Sequence, residues 1–325
     1  MTDFTRRDTL HLGFAALLTA GALPARSFAQ GQGPAVLITG CSSGFGRLTA
    51  ETMARAGYRV AATLRDVQGD NATAAAELGQ LAQDDGLDIA FIEIDVRDDA
   101  SVQAGHRAAV ERFGEIDILV SNAGIGIPLP IEASIDATRE VMETNFYGGL
   151  RMAQAVLPSM RARRSGLLIQ ITSALGRYTL PLYGAYCASK HALEAAFTAM
   201  AYELHPFGIE TAMVQPGGYD TLFKENAAED VARYWPDLPD PTRAAYADHR
   251  AAIDNILRNA ETPPPQQIAD AILALARMDQ GTRPLHVSEG PGMSSLPPLN
   301  ERLQQVTESS TRSYIGRPAW VKMAI

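Results

Sequence analysis

The sequence predicts an α/β architecture, a doubly wound, seven-stranded, mostly parallel sheet with helices on both faces. Three features point there. Short apolar runs lack the polar alternation of a half-exposed strand, so both faces of each strand must be covered. Longer amphipathic stretches separate these runs, so strand and helix alternate along the chain. A glycine-rich turn follows the first apolar run and opens the first helical stretch, at the end of the sheet where such folds meet their ligands.

Taken in order, residues 35–39 (AVLIT) read as the first strand, followed by the turn and a helix near 44–56. Residues 58–63 form the second strand and 71–83 a helix. Residues 89–94 form the third, followed by a helix over about 100–113. Residues 116–121 form the fourth, and a long helical stretch runs between 135 and 163. Residues 167–172 form the fifth, followed by the helix that carries Tyr186 and Lys190 as far as 204. Residues 209–215 form the sixth; a helix near 266–278 precedes the seventh at 283–287. Residues 217–265 break the alternation. A loop of this length in a compact domain is usually a lid or binding element, expected here from about 217 to 262, with helices near 220–226 and 242–259. Its aromatics (Tyr219, Phe223, Tyr234, Trp235 and Tyr246) either pack it down or favour an apolar or ring-bearing substrate. From 288 the tail is rich in Gly, Pro and Ser, then polar, and is expected to be loop with one helix at 299–307.

Composition bounds the function. Of 325 residues, 46% are hydrophobic and 20% charged, ample for a core. A net charge of -9 argues against a nucleic-acid surface. Cys41 and Cys187 make neither a disulfide framework nor a metal cluster; both are expected to be small buried thiols, and no metal is expected. Residues 1–29 carry twin arginines (Arg6, Arg7), a short apolar run and small residues before a cleavage after Ala29. That is the build of a twin-arginine export signal, too short and Ala/Gly-rich to span a membrane. It implies a periplasmic protein; the alternatives are a basic leader on a cytoplasmic enzyme or an early start codon. Residues 30–325 are expected to form a single domain, with no stable membrane association.

Two stretches carry chemistry. In the turn, Gly40, Gly44 and Gly46, with Ser42, Ser43 and Phe45 between them, allow tight turning and close backbone approach. The helix behind offers free N–H groups and a positive dipole to a pyrophosphate. Tyr186 and Lys190 stand four residues apart on a helix, so phenol and ammonium share a face. A cation that close is expected to pull the phenol pKa down toward neutrality and make it a general acid or base.

With these motifs in hand, the chain resembles the short-chain dehydrogenase/reductase family, from about residue 36 to 221 and on through the seventh strand. The T-G-x-x-x-G-x-G motif is met at 39–46, the adenine-side aspartate at Asp95-Val96, and N-A-G at Asn122-Ala123-Gly124. Asn145, Ser173, Tyr186 and Lys190 match the active-site residues, and Pro216-Gly217 with Thr221 match the turn after the sixth strand. The resemblance implies a Rossmann-type domain that interconverts an alcohol with a ketone or aldehyde. Tyr186 would exchange the proton and Lys190 would lower its pKa and bind the nicotinamide ribose. Ser173 would hold the reacting oxygen, and Asn145 would hold a relay water. It also implies a homodimer or homotetramer built through the long helices. Each residue has a plainer alternative: Ser173 caps a turn, Asn145 bonds backbone, and Asn122 clamps strand ends. His191 and His205 read as surface or packing residues.

Where an acid after the second strand would favour NAD, this chain has Leu64 followed by Arg65, a guanidinium suited to a 2′-phosphate. NADP is therefore expected over NAD, with Asp66 working against it and Arg47 as a second basic residue near the turn. A protein that binds NADP(H) without turnover is the alternative from another class, and epimerisation or dehydration the alternative chemistry.

Overall fold

The computed structural model of the protein describes residues 28–29, 31–259 and 263–316. Nearly all of the expected leader (residues 1–29) and the last three residues of the expected lid lie outside them. The strands are β1 (Ala35–Ile38), β2 (Arg59–Leu64), β3 (Ile89–Glu93), β4 (Ile118–Ser121), β5 (Gly166–Ile171), β6 (Ile209–Pro216) and β7 (His286–Glu289). They form one sheet in the order β3-β2-β1-β4-β5-β6-β7, with every pairing parallel. The expected seven-stranded doubly wound sheet is thus present. Its order reverses between β1 and β4, which opens a crevice at their carboxyl ends.

Successive strand residues point to opposite faces and build two cores. Leu37, Ala61, Leu119, Leu168 and Met213 face one way, under α3 (Asp99–Phe113), α5 (Gly148–Arg163) and α6 (Gly184–Leu204). Their neighbours Val36, Val60, Ile118, Ile169 and Val214 face the other, under α1 (Gly44–Arg55), α2 (Ala72–Asp84) and α10 (Gln266–Arg277). Apolar runs without alternation have this cause: neither face meets water.

Three expectations need correction. The stretch 135–163 is α4 (Ile135–Met142), a π-helical segment (Glu143–Tyr147) and α5. In the segment after β6, the first helix begins later and runs longer than expected. It is α7 (Phe223–Tyr234), followed by α8 (Asp240–Ala245) and α9 (Ala247–Asn259). The tail is mostly helix, α11 (Leu296–Ile315). Prolines in its first turn lack N–H groups that would go unpaired there. Gln304 donates to Glu308 and Gln305 to Glu301 along its surface, pairs that a hydrophobic period does not reveal. No helix among the described residues is long and apolar enough to cross a membrane.

Candidate active site

The crevice holds a cleft of about 920 Å³ that runs from the glycine turn to Tyr186. At the turn, Gly40 (φ +72°) and Gly44 (φ +54°) adopt left-handed backbone that a side chain resists. A Cβ on Gly46 would lie 2.1 Å from Gly40 O, so only glycine lets α1 start this close. The Ser43 side chain does not cap α1, which leaves the helix N-terminus for an anionic ligand. Ser42, Ser43, Gly44 and Phe45 line the cleft.

Asn122 is the clamp its plainer reading foresees. Its Nδ2 donates to Thr39 O (2.8 Å) and Gly40 O (3.2 Å), while Thr39 Oγ1 accepts from the Asn122 and Ala123 amides at 2.9 Å each. The ends of β1 and β4 are thereby locked together, with Ala123 and Gly124 exposed to the cleft. Asp95 is gripped by Arg97 (Nη2–Oδ2 2.6 Å), which holds its carboxyl below the usual range. Val96 packs against Gly148, where any side chain would collide with it. Arg65 sits exposed at the rim, its carbonyl accepting from Asn71 Nδ2 at 2.6 Å. Arg47 is turned away from the cleft, to Glu51 (3.1 Å) and Glu77 (2.7 Å), so it does not reinforce Arg65. Pro216, Gly217 and Thr221 close the far side, Thr221 lying over Gly44.

The four catalytic candidates converge. Asn145 is 1% exposed in the π segment; its Oδ1 accepts from Ile125 N (2.8 Å), and its Nδ2 donates to Ile125 O and Ser189 Oγ (2.9 Å each). Ser189, which sequence reasoning passed over, donates in turn to Tyr186 O at 2.7 Å. Its only signal was its place directly before Lys190. Gly124 keeps open the gap between Asn145 and Lys190; a Cβ there would lie 3.2 Å from Asn145 Oδ1 and 3.5 Å from Lys190 Nζ. Lys190 is 4% exposed and donates to Ile171 O at 3.0 Å. Ser173, at the carboxyl end of β5, does cap its turn, accepting from Leu175 N at 3.1 Å.

One electrostatic expectation is corrected. The Tyr186 phenol is pushed up to about 12 by burial, against which the Ser173 hydroxyl works. Lys190 Nζ lies 5.6 Å from the ring centroid, and its own burial lowers it to about 8. Desolvation acts on both groups and outweighs their spacing on the helix.

The aromatics of the 217–259 segment divide. Phe223 stacks edge-on against Tyr186 at 5.5 Å, in space left by Gly126, and Tyr219 packs on Phe45. Tyr234 and Trp235 instead pack against the cluster of Ile127, Leu129 and Val141, and Tyr246 bonds Glu132. Tyr183, unremarked in the sequence, is buried 6.2 Å from the Tyr186 ring. Cys41 and Cys187 are free and buried; burial pushes Cys41 up to about 12.

A family model described as short chain dehydrogenase matches residues 34–232. Estradiol 17-beta-dehydrogenase 1 of Rattus norvegicus is 34% identical over 249 residues, 75% of this chain and 71% of its own. Retinol dehydrogenase 8 of Bos taurus is 38% identical over 218 residues, covering 65% and 67%. Among solved structures, a gluconate 5-dehydrogenase from Burkholderia cenocepacia J2315 in complex with NADP and tartrate superposes with a TM-score of 0.67 at 26% identity. That match covers 85% of this chain and 99% of the other. The chain belongs to the short chain dehydrogenase family, and is an oxidoreductase of the kind that acts on CH–OH groups.

Proposed function

We propose that this protein is an NADP(H)-dependent oxidoreductase that interconverts an apolar or ring-bearing alcohol with its ketone or aldehyde, with Tyr186 as general acid and base. The observation that carries the reading is the meeting of Ser173, Tyr186, Lys190 and Asn145 at one end of a cleft whose other end is the glycine turn. The residues present suit a dinucleotide. The N-terminus of α1 and the Ser42 and Ser43 hydroxyls offer donors to a pyrophosphate. Lys190, with one proton spent on Ile171 O, has others for ribose hydroxyls. Nicotinamide supplies or accepts the hydride; the protein aligns the partners and moves the proton.

Burial holds the proton on the Tyr186 phenol through the neutral range, the state that a carbonyl reduction requires. Ser173 orients the substrate oxygen toward it, and Lys190 stabilises the phenolate once the proton has moved. Asn145 braces the wall through which a relay from Lys190 would run. For cofactor choice, Leu64 in place of an acid and Arg65 at the rim favour a 2′-phosphate. Phe223, Tyr183, Tyr178 and Leu180 line the cleft and favour an apolar substrate, in keeping with the estradiol and retinol named for two relatives.

The test is consumption of NADPH, with NADH in parallel, against cyclic and long-chain ketones and aldehydes. Tyr186→Phe is expected to lose about 100- to 10,000-fold in kcat, and Arg65→Ala to raise KM for NADPH about tenfold or more while sparing NADH. Turnover with NADH alone would overturn the cofactor assignment. Tight NADPH binding without turnover across the panel would favour a binding protein over an enzyme.

A further inference from the structure

Behind the Tyr186–Lys190 wall lies a cluster of charged groups that the roles above leave unused. Glu194 is 2% exposed and stands one helical turn beyond Lys190 on α6, so the two share a face. Its Oε1 accepts from Thr172 Oγ1 at 2.6 Å and from Gln215 Nε2 at 2.8 Å. Its Oε2 faces Arg177 Nη2 at 2.8 Å and His286 Nε2 at 3.2 Å. Gly176 permits this approach: a Cβ there would lie 3.0 Å from Glu194 Cγ and 3.1 Å from Lys190 O. The turn after β5 is thus pressed onto α6 at these two residues. Apolar side chains of similar volume could fill this space without the penalty of burying charge, so the charges invite a role beyond packing.

We propose that Glu194 is a positioning residue for the proton-transfer pair: through Thr172 it fixes the strand end that presents Ser173, and its carboxylate is the counter-charge to Lys190 inside the protein. Its purpose rests on the oxidoreductase reading above; its physics does not.

The neighbours act with opposite signs. On α6, Glu194 opposes the fall that burial imposes on Lys190. Arg177, following the short turn after β5, offsets Glu194, and His286 on β7 stands beside both, its Nε2 2.5 Å from Arg177 Nη2 and 3.2 Å from Glu194 Oε2. Thr172 on the β5 side and Gln215 on β6 face it as neutral groups. Burial would raise the Glu194 carboxyl, but His286, Arg177 and Thr172 outweigh it and hold it below its ordinary value.

The chain has three lysines, Lys190, Lys224 and Lys322, so NMR of isotope-labelled lysine can follow Lys190 alone, assigned with Lys190→Arg. Glu194→Gln is expected to lower the Lys190 titration midpoint by about one unit, roughly tenfold in proton affinity. Arg177→Met is expected to raise it by a similar amount. A packing role would move both midpoints the same way or neither. A Lys190 midpoint that ignores both substitutions, or falls in both, overturns the proposal. Should Glu194→Gln fail to fold, Glu194→Met, close to it in volume, takes its place: a fall upholds the counter-charge, and an unmoved midpoint sinks it. Turnover is followed separately. A wild type inert with both nicotinamide cofactors overturns the proposed function and leaves the titration standing; an active wild type with an unmoved Lys190 does the reverse.

Discussion

Asn145 spends its side chain on the protein: both Nδ2 protons and one Oδ1 lone pair go to Ile125 and Ser189. Asn145→Ala would leave a buried amide, a carbonyl and a hydroxyl short of partners. It is expected to lower stability by about 2 kcal/mol or more in urea titration, with activity falling alongside. The sequence made the residue visible through its motif and offered backbone bonding as the plainer alternative, but not the partners, because Ile125 and Ser189 are brought to it only by the fold. Tyr186 and Lys190 show the same limit from the electrostatic side. Their spacing was legible, whereas the burial that sets both pKa values belongs to the cleft. Arg47 was legible as a base near the turn, and its pairing with Glu51 is an i,i+4 contact within α1; its pairing with Glu77 of α2 needed the fold to bring the two side chains together.

Elements with a single strong period were read from sequence to within a few residues, and those without one were not. The strands of the sheet declared themselves by apolar runs, whereas α11, polar over most of its length, was expected only over 299–307. The π segment is hidden too, since its hydrophobic pattern continues that of the helices beside it. The segment after β6 shows what an element gains from its neighbours. Phe223, Lys224, Asn226, Glu229 and Asp230 of α7 line the same cleft as the glycine turn. The far end of α7 is tied to α4, where Glu140 takes Arg233 at 3.0 Å and Tyr234 Oη at 2.6 Å. Such partly exposed contacts are worth about 1 kcal/mol. Glu140→Ala is therefore expected to speed release of a bound reduced nicotinamide cofactor about fivefold in stopped-flow fluorescence while changing the thermal midpoint little.

Across the whole molecule, the sheet divides the labour at its reversal. Strands β1–β3 with the glycine turn, Arg65 and Asp95 form one wall of the cleft, and the strands from β4 onward bring Ser173, Tyr186 and Lys190 to the other. Burial on this scale is measurable by titrating the phenols. Four of the ten tyrosines, Tyr186, Tyr202, Tyr219 and Tyr234, are pushed up to about 12, mainly by burial. At about pH 11 the folded protein should keep at least these four protonated in near-ultraviolet absorbance, whereas denaturant should release all ten near the ordinary value. Their unfolded pKa is the lower one, so their contribution to stability is complete below about pH 10 and is lost as pH rises toward 12. The two thiols bear on a different stress. Both are buried and unpaired, and Cys41 holds its proton far above neutrality, so no thiolate is offered there to an oxidant and no cross-link is needed to close the fold. The described fold therefore rests on packing and hydrogen bonds alone, and a reductant that opens disulfides would find none to open among the described residues.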